Sequence, residues 1–409
     1  MKTLNEILFE KINLLVEEFI NNPQISAAQV GAEPKSALED YISTSHLDDI
    51  IHNDLNYNKI RERKIIDGSI SFAESNFNKN DYHKFLLELV KIFVECDKMD
   101  TAEEVLTNTI GKLSSDHLKA QSLAILADIY IRKSKWDISI ALINQAKDIY
   151  TKTNDIIGIV KCENLLGTSY GERGELLLSR NHFTNGLKFL AENPDEKLAA
   201  ELETNLAIIE NICGNFAKAK EHFYNALKMF EKIDESKRIA ELRHNVGMLF
   251  LEQKEYEQAI TEFENAIALS IKENFSAVLS VSYLGKATAL TSLNDNELAL
   301  EYCYKAMDMA IKIEDKLTIA DVYKVIGTIE RNQKRYESAD KFLNISLRLN
   351  DELENRLNTA ETLIEYSILS EKNGNSSQKT DWLKKALEYY AEVKAAGKVD
   401  MIEEMLAIA

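Results

Sequence analysis

Apolar and small positions along this chain recur with a long, regular beat. In the stretches NLAIIENICGNFAKAKEHFYNALKMFEKIDE, from Asn205, and NVGMLFLEQKEYEQAITEFENAIALSIKEN, from Asn245, apolar residues return every three or four positions. That is the spacing of one buried helix face. The two stretches share few identities, yet their small and aromatic residues fall at matching places forty positions apart. Stepping by forty from Ala207 gives Ala127, Gly167, Ala207, Gly247, Ala287, Gly327 and Ser367. Twelve residues beyond these lie Ser139, Ser179, Ala219, Ala259, Ala299 and Ala339, with Lys379 breaking the column. Nineteen beyond lie Ala146, Gly186, Ala226, Ala266, Ala306, Ser346 and Ala386. Sixteen beyond, large apolar residues dominate: Ile143, Phe183, Phe223, Phe263, Cys303, Leu343 and Leu383. Small side chains are needed where two helix backbones approach closely, and large ones fill the space between. The pattern predicts a repeated unit of two amphipathic helices, A then B.

The turns carry their own signals. Gly174, Gly214, Asn294 and Gly374 share one column between A and B, where a left-handed residue ends a helix. Asn193-Pro194 reads as an N-cap followed by proline at the first helical position. With 3 prolines and 14 glycines the chain has too few turn residues for an all-β fold. At 409 residues it exceeds the size of one compact core, so several domains or an elongated array are expected. The class is all-α.

Residues 1–79 stand outside the forty-residue register. Leu4, Ile7, Leu8, Ile12, Leu15 and Phe19 form the stripe of a first helix, and NPQISAAQVGAEP reads as a linker. Helical segments near 36–54 and 58–77 follow. This region is either a cap shielding the first repeat, as repeat arrays require, or a separate helical effector module. At the other end, GKVDMIEEMLAIA reads as a short closing helix. The expected organisation is a helical cap or module over 1–79, an array over 80–393 and a capping helix over 394–409.

A formal charge of −18, from 67 acidic and 49 basic residues, argues against nucleic acid and anionic membrane surfaces as partners. The bland reading of that charge is a solubilising surface. Cys96, Cys162, Cys213 and Cys303 are scattered without a CxxC pair and read as reduced thiols. The opening MKTLNEILFEKINLLVEEF is neither a signal peptide nor a membrane span, and no later stretch reaches eighteen uninterrupted apolar residues. The expected compartment is the cytoplasm.

The columns of small residues, the large apolar column and the aromatics Trp136, Phe216, Tyr256 and Tyr336 nine beyond the anchor resemble the tetratricopeptide repeat over roughly residues 117–393. A weaker unit, YHKFLLELVKIFVECDKMDTAEEVLTNTI, precedes them, with Val90, Ala102, Leu106 and Thr109 in equivalent places. The period is forty residues instead of thirty-four, and the proline that commonly closes helix B is missing. The resemblance implies a right-handed superhelical solenoid of about eight helix pairs whose concave face is lined by A helices. It also implies binding of a protein or an extended peptide in that groove. The longer period occurs in families such as kinesin light chains and bacterial peptide-sensing regulators.

Carried onto this sequence, the groove positions are Lys161, Glu201, Glu241 and Asp321 in the second place of their A helices. Asn164, His244 and Lys324 occupy the fifth, Asn205 and Asn245 the sixth, and Arg331 the twelfth. Stacked Asn amides can donate to and accept from an extended peptide backbone, as in peptide-binding members of the family; the bland alternative is a hydrated or locally capping amide. Members that clamp the C-terminal carboxylate of heat-shock proteins need cations where this chain has Glu241 and Asn245, so that activity is not expected. A partner carrying Lys or Arg suits Glu201, Glu241, Asp321 and Glu361 better, although Arg243, Lys324 and Arg331 keep the face mixed.

No nucleotide-binding, metalloprotease or hydrolase motif is present. HLDDIIHND, with His46, Asp49, His52 and Asp54, reads as solvated helix polarity before it reads as a metal site. His182 and His222 share a repeat column but lack a third ligand for zinc. The sequence therefore predicts a non-enzymatic binding protein without cofactor or metal. It is either a scaffold or a peptide-sensing regulator whose N-terminal module engages a signalling protein.

Overall fold

A computed structural model describes residues 4–22, 55–96, 98–113, 115–313, 315–392 and 396–408. The expected linker after Asn22, the helix near 36–54 and the His46–Asp54 cluster lie outside the described residues. Among the described residues there are nineteen helices, and the fold is an all-α solenoid of about eight helix pairs with an N-terminal extension and a C-terminal capping helix. The chain divides into two compact units, Met1–Ser169 and Tyr170–Ala409.

The first unit contains α1 (Leu4–Asn21), α2 (Leu55–Asn76), α3 (Lys79–Glu95), α4 (Met99–Ile110), α5 (Asp116–Arg132), α6 (Trp136–Lys152) and most of α7 (Ile156–Glu172). The stripe of α1 is buried as its periodicity requires: Leu8, Ile12, Leu15 and Phe19 join Ile66, Phe72, Phe77 and Phe85 in one core. That core runs on through Val90, Ala102 and Leu106 to Leu126 and Ile129, so the extension and the first helix pairs are packed without a break. Phe19 anchors the junction, its ring edge-on to Phe85 at 5.3 Å between centroids. Thr109, expected to be interior, is only half-buried on the short helix α4.

The second unit holds α8 (Leu176–Glu192), α9 (Glu196–Ile212), α10 (Phe216–Lys232), α11 (Ser236–Glu252), α12 (Tyr256–Glu273), α13 (Ser276–Ser292), α14 (Asn296–Lys312), α15 (Lys316–Asn332), α16 (Tyr336–Glu352), α17 (Arg356–Lys372), α18 (Ser376–Glu392) and α19 (Ala396–Ile408). From α5 to α18 a helix begins every twenty residues, and each runs for 17, α12 adding one more. The forty-residue period is thus two rods of about 26 Å at 1.5 Å per residue, each followed by a three-residue turn, except that the longer α12 takes up the first residue of its own turn and leaves Asn274 and Phe275. The anchor column and its companion nineteen residues on are buried throughout, as is the large apolar column. Lys379, the exception twelve residues from its anchor, reaches across its turn to Glu371 at 2.8 Å. Ile402 of α19 closes the last core with Ala360, Leu383, Ala386 and Tyr390.

The turns explain how the beat is kept. Their middle residue is left-handed at Ser134, Asn154, Gly174, Gly214, Asp234, Lys254, Asn274, Asn294, Lys334, Glu354 and Gly374. At Lys254, for example, its N–H donates to the Leu251 carbonyl at 3.0 Å and the Glu255 N–H donates to Phe250 at 2.9 Å. These bonds satisfy carbonyls that the helix end leaves open. Position 194 belongs to this series but is proline, whose ring fixes φ negative. The turn is remade there. Asp195, not Asn193, caps α9, accepting from the Leu198 N–H at 3.0 Å, and Pro194 lies outside the helix.

Candidate ligand-binding face

The second unit places Glu201, Asn205, Ile208 and Ile212 along one face of α9, at helical spacings of three and four. The matching residues of α11 are Glu241, His244, Asn245, Met248 and Glu252. The other sides of both helices are in the core, through Leu206 and Ala207 on α9 and Val246 and Gly247 on α11. Asn211 of α9 donates to Glu252 of α11 at 2.8 Å, which ties the two faces together at one end. Arg238 lies at the opposite end, bonded to Glu241 at 2.9 Å and within the field of Glu201.

Between these ends the surface is apolar. Ile208 is 38% exposed, Ile212 57% and Met248 37%. Large aliphatic side chains are left in water here although neighbouring columns are buried. No hydrogen bond within the described residues takes up the Asn245 amide, which leaves a donor and an acceptor beside this strip. His244 is half-buried next to it, its ring 5.6 Å from that of Phe263 and its Nδ1 3.3 Å from the Ser282 hydroxyl. Burial pushes its pKa down to about 4, so the ring is neutral at pH 7.

Further along the array the same face is closed by charges. Lys324 Nζ lies 3.0 Å from Asp321 and 2.5 Å from Glu361 of α17. Asn358 donates to both oxygens of Asp321, at 3.1 and 3.0 Å. Burial opposes the Lys324 charge, but Glu361 and Asp321 outweigh it and hold the pKa above the usual lysine value. Burial likewise works against Glu361, and Lys324 wins, so that carboxylate is held low. Arg331 pairs with Glu365, which also accepts from the Thr328 hydroxyl at 3.0 Å. The expected site residues therefore separate into two groups. Glu201, Asn205, Glu241, His244 and Asn245 surround an open apolar strip, whereas Asp321, Lys324 and Arg331 belong to an internal ion-pair network. Lys161 and Asn164 lie in the first unit, exposed and half-buried respectively.

The apolar strip was the feature that sequence reasoning missed; its signal was Ile208 and Met248, each three residues beyond the groove asparagine of its helix, with Ile212 one turn further on. The other candidates take ordinary structural partners. Arg243 bonds to Glu262 at 3.1 Å and Glu231 at 3.2 Å. His182 stacks on Tyr170 at 5.2 Å, while His222 bonds to Glu203 at 2.6 Å. Among the described residues, no three His, Cys, Asp or Glu side chains group as a metal ion would require. Cys96, Cys162 and Cys303 are buried free thiols and Cys213 is exposed; burial pushes Cys162 and Cys303 up to about 12. Among the described residues no helix is long and apolar enough to cross a membrane.

Comparison with known proteins agrees with this architecture. The tetratricopeptide repeat family model matches residues 198–272, the segment that carries both faces of the strip. A search of the curated proteins found no match. Among solved structures, the chain is similar to the Rap conjugation gene regulator of the plasmid pLS20, in complex with the Phr* peptide. That likeness has a TM-score of 0.60 and 16% identity, and it covers 96% of each chain. It is also similar to aspartyl phosphate phosphatase F from Bacillus subtilis (TM-score 0.59, 13% identity, 95% of each chain). A third is the apo form of the quorum sensor NprR from B. thuringiensis, with TM-score 0.59, 13% identity, and 87% of this chain and 98% of that one covered. These likenesses establish the fold, that of a tetratricopeptide-like all-helical repeat protein.

Proposed function

We propose that this chain is a cytosolic, non-enzymatic peptide receptor of the long-period tetratricopeptide type, and that it acts as a peptide-sensing regulator. On this reading residues 80–393 form the receptor array, 394–409 close it, and 1–79 form a helical module that engages a signalling protein. The observation that carries it is the open strip of Ile208, Ile212 and Met248 flanked by Asn205 and Asn245 and bounded by Glu201 and Glu241. Apolar side chains of an extended peptide would cover the aliphatic residues while its backbone groups met the amides. The carboxylates would favour a peptide that also carries Lys or Arg. Two of the similar structures support the regulator over a plain scaffold by their names, one a gene regulator solved with a peptide and one a quorum sensor. Free thiols agree with a reducing compartment.

The test begins with affinity selection from a random pentapeptide library. Selected peptides are then titrated against the intact protein and the Asn205→Ala/Asn245→Ala variant. Loss of two backbone-binding amides is expected to weaken binding at least tenfold, or about 1.4 kcal/mol. Equal affinities for both proteins would remove the reading. A regulator is further expected to change hydrogen exchange within residues 1–79 when peptide binds; a plain scaffold would leave it unaltered.

A further inference from the structure

A second concavity lies in the first unit, between α2, α3 and α4, and has no part in the peptide face. Its volume is about 220 Å³. That exceeds the roughly 150 Å³ engineered cavity in which a benzene molecule is held, and falls short of a drug-sized pocket of about 300 Å³ or more. Its floor is Ile66 and Leu86, both buried, with Ile70 and Val105 half-buried beside them. An apolar floor of that size fits one ring.

One polar group breaks the floor. His83 lines the cleft and is only 5% exposed, and no hydrogen bond within the described residues engages either ring nitrogen. Neither nitrogen is among the fully buried side-chain atoms left without a partner, so the polar edge of the ring opens to the cleft, where water or a ligand can bond it. Burial, with Lys79 and Lys112 nearby, lowers its pKa and keeps the imidazole neutral. A neutral imidazole has one donor and one acceptor nitrogen.

The charged groups around the cleft restrict what can enter. Arg63 directs three of its five N–H donors at carboxylates, holding Glu104 through two bonds of 2.9 and 3.0 Å and Asp67 through one of 3.2 Å. An incoming carboxylate would have to lie among Asp67, Glu74 and Glu104, and an ammonium beside Arg63 and Lys112. A hydroxyl avoids both problems, since it can donate to or accept from whichever ring nitrogen faces it.

We propose that the α2–α3–α4 cleft is a binding site for a neutral hydroxylated aromatic ring of the phenol class, with His83 as its hydrogen-bonding anchor and Ile66, Ile70, Leu86 and Val105 as its floor. The same chemistry is carried by a free phenolic molecule and by the tyrosine side chain of a docking protein. The proposal does not depend on the peptide face.

The test titrates the full chain with p-cresol, toluene, benzoate and N-acetyl-tyrosinamide, following the imidazole resonances of His83 by NMR. p-Cresol is expected to bind saturably at about 1 mM or tighter and to shift those resonances. It is expected to bind about tenfold more tightly than toluene. In His83→Leu this preference should shrink towards one while toluene still binds. The wild-type ratio decides the matter by itself if that variant fails to fold. Binding of N-acetyl-tyrosinamide as tight as p-cresol assigns the site to a protein side chain, and its exclusion assigns the site to a free phenolic ligand. Equal binding of toluene, preference for benzoate, or no saturable binding by p-cresol would each overturn the proposal.

Discussion

Gly247 of α11 faces the ring of Phe263 on α12 so closely that a methyl group in its place would lie 2.6 Å from the ring. Gly285 of α13 approaches the same ring, where a methyl would lie 2.5 Å away. Phe263 is fully buried and has no room to give. The glycines in these helices therefore answer to an aromatic ring, against their own low helix propensity.

Two opposing effects make this a sharp test. On propensity alone, Gly→Ala inside a helix stabilises by about 1 kcal/mol. Overpacking a closed core destabilises by about 1–3 kcal/mol. Gly247→Ala and Gly285→Ala are expected to lower stability, as is Ala226→Phe in the neighbouring small-residue column, by denaturant titration. A rise in stability for the two glycine variants would refute the packing argument.

The left-handed turns allow a prediction of opposite sign. Lys254 and Lys334 are exposed and hold φ of 60° and 62°, a conformation that a Cβ disfavours. Lys254→Gly and Lys334→Gly are each expected to stabilise by about 0.5–1 kcal/mol, since no contact is lost. Thermal melts of the single and double variants would show whether the gains add.

Two histidines should give opposite pH dependences. His244 has its pKa lowered from 6.5 to about 4 by burial. As pH falls the unfolded chain protonates it first, so its contribution is complete above pH 6.5 and is lost between 6.5 and 4. The loss is on the order of 3 kcal/mol. His222 has its pKa raised by its hydrogen bond to Glu203. Its contribution is complete below 6.5 and is lost as pH rises through the raised value. Relative to wild type, His244→Phe is expected to flatten the acid side of the stability profile and His222→Gln the side above 6.5.

The ion-pair network should behave as a unit. Lys324→Met leaves Asp321 and Glu361 without their shared cation and is expected to destabilise by about 3 kcal/mol. Adding Asp321→Asn and Glu361→Gln should recover part of that loss. A strictly additive triple variant would contradict the network.

Much of this architecture was legible because the repeat imposes the same packing problem at every return. Ala127, Ala207 and Ala287 are small for the same reason, so the pattern of their column is stronger than any one residue. The helix-ending role of Gly174, Gly214 and Gly374 was legible too, because glycine favours φ above zero. The same conformation at Ser134, Lys254, Lys334 and Glu354 was not, since these residues have no comparable preference and the hydrogen bonds of the turn impose it. Pro194 misled by resembling a helix start while sitting at a turn its ring forbids. The ion pairs were hidden because partners lie on neighbouring A helices. Lys324–Glu361 and the hydrogen-bonded pairs Thr328–Glu365 and Asp321–Asn358 are each separated by 37 residues, one repeat less one helical turn, whereas the ion pair Arg331–Glu365 spans 34. The offset of 37 is the sequence signal for the first three. The open and closed steps of the face were marked only by these polar offsets and by the aliphatic Ile208, Ile212 and Met248, and neither signal stands out until the helices are paired.

The most direct test of the central claim is a crystal structure of the intact protein with a library-selected peptide. We expect the peptide extended along α9 and α11, its backbone within hydrogen-bonding distance of the Asn205 and Asn245 amides and its apolar side chains covering Ile208, Ile212 and Met248. A peptide seated elsewhere, with those three side chains still open to water, would contradict the account.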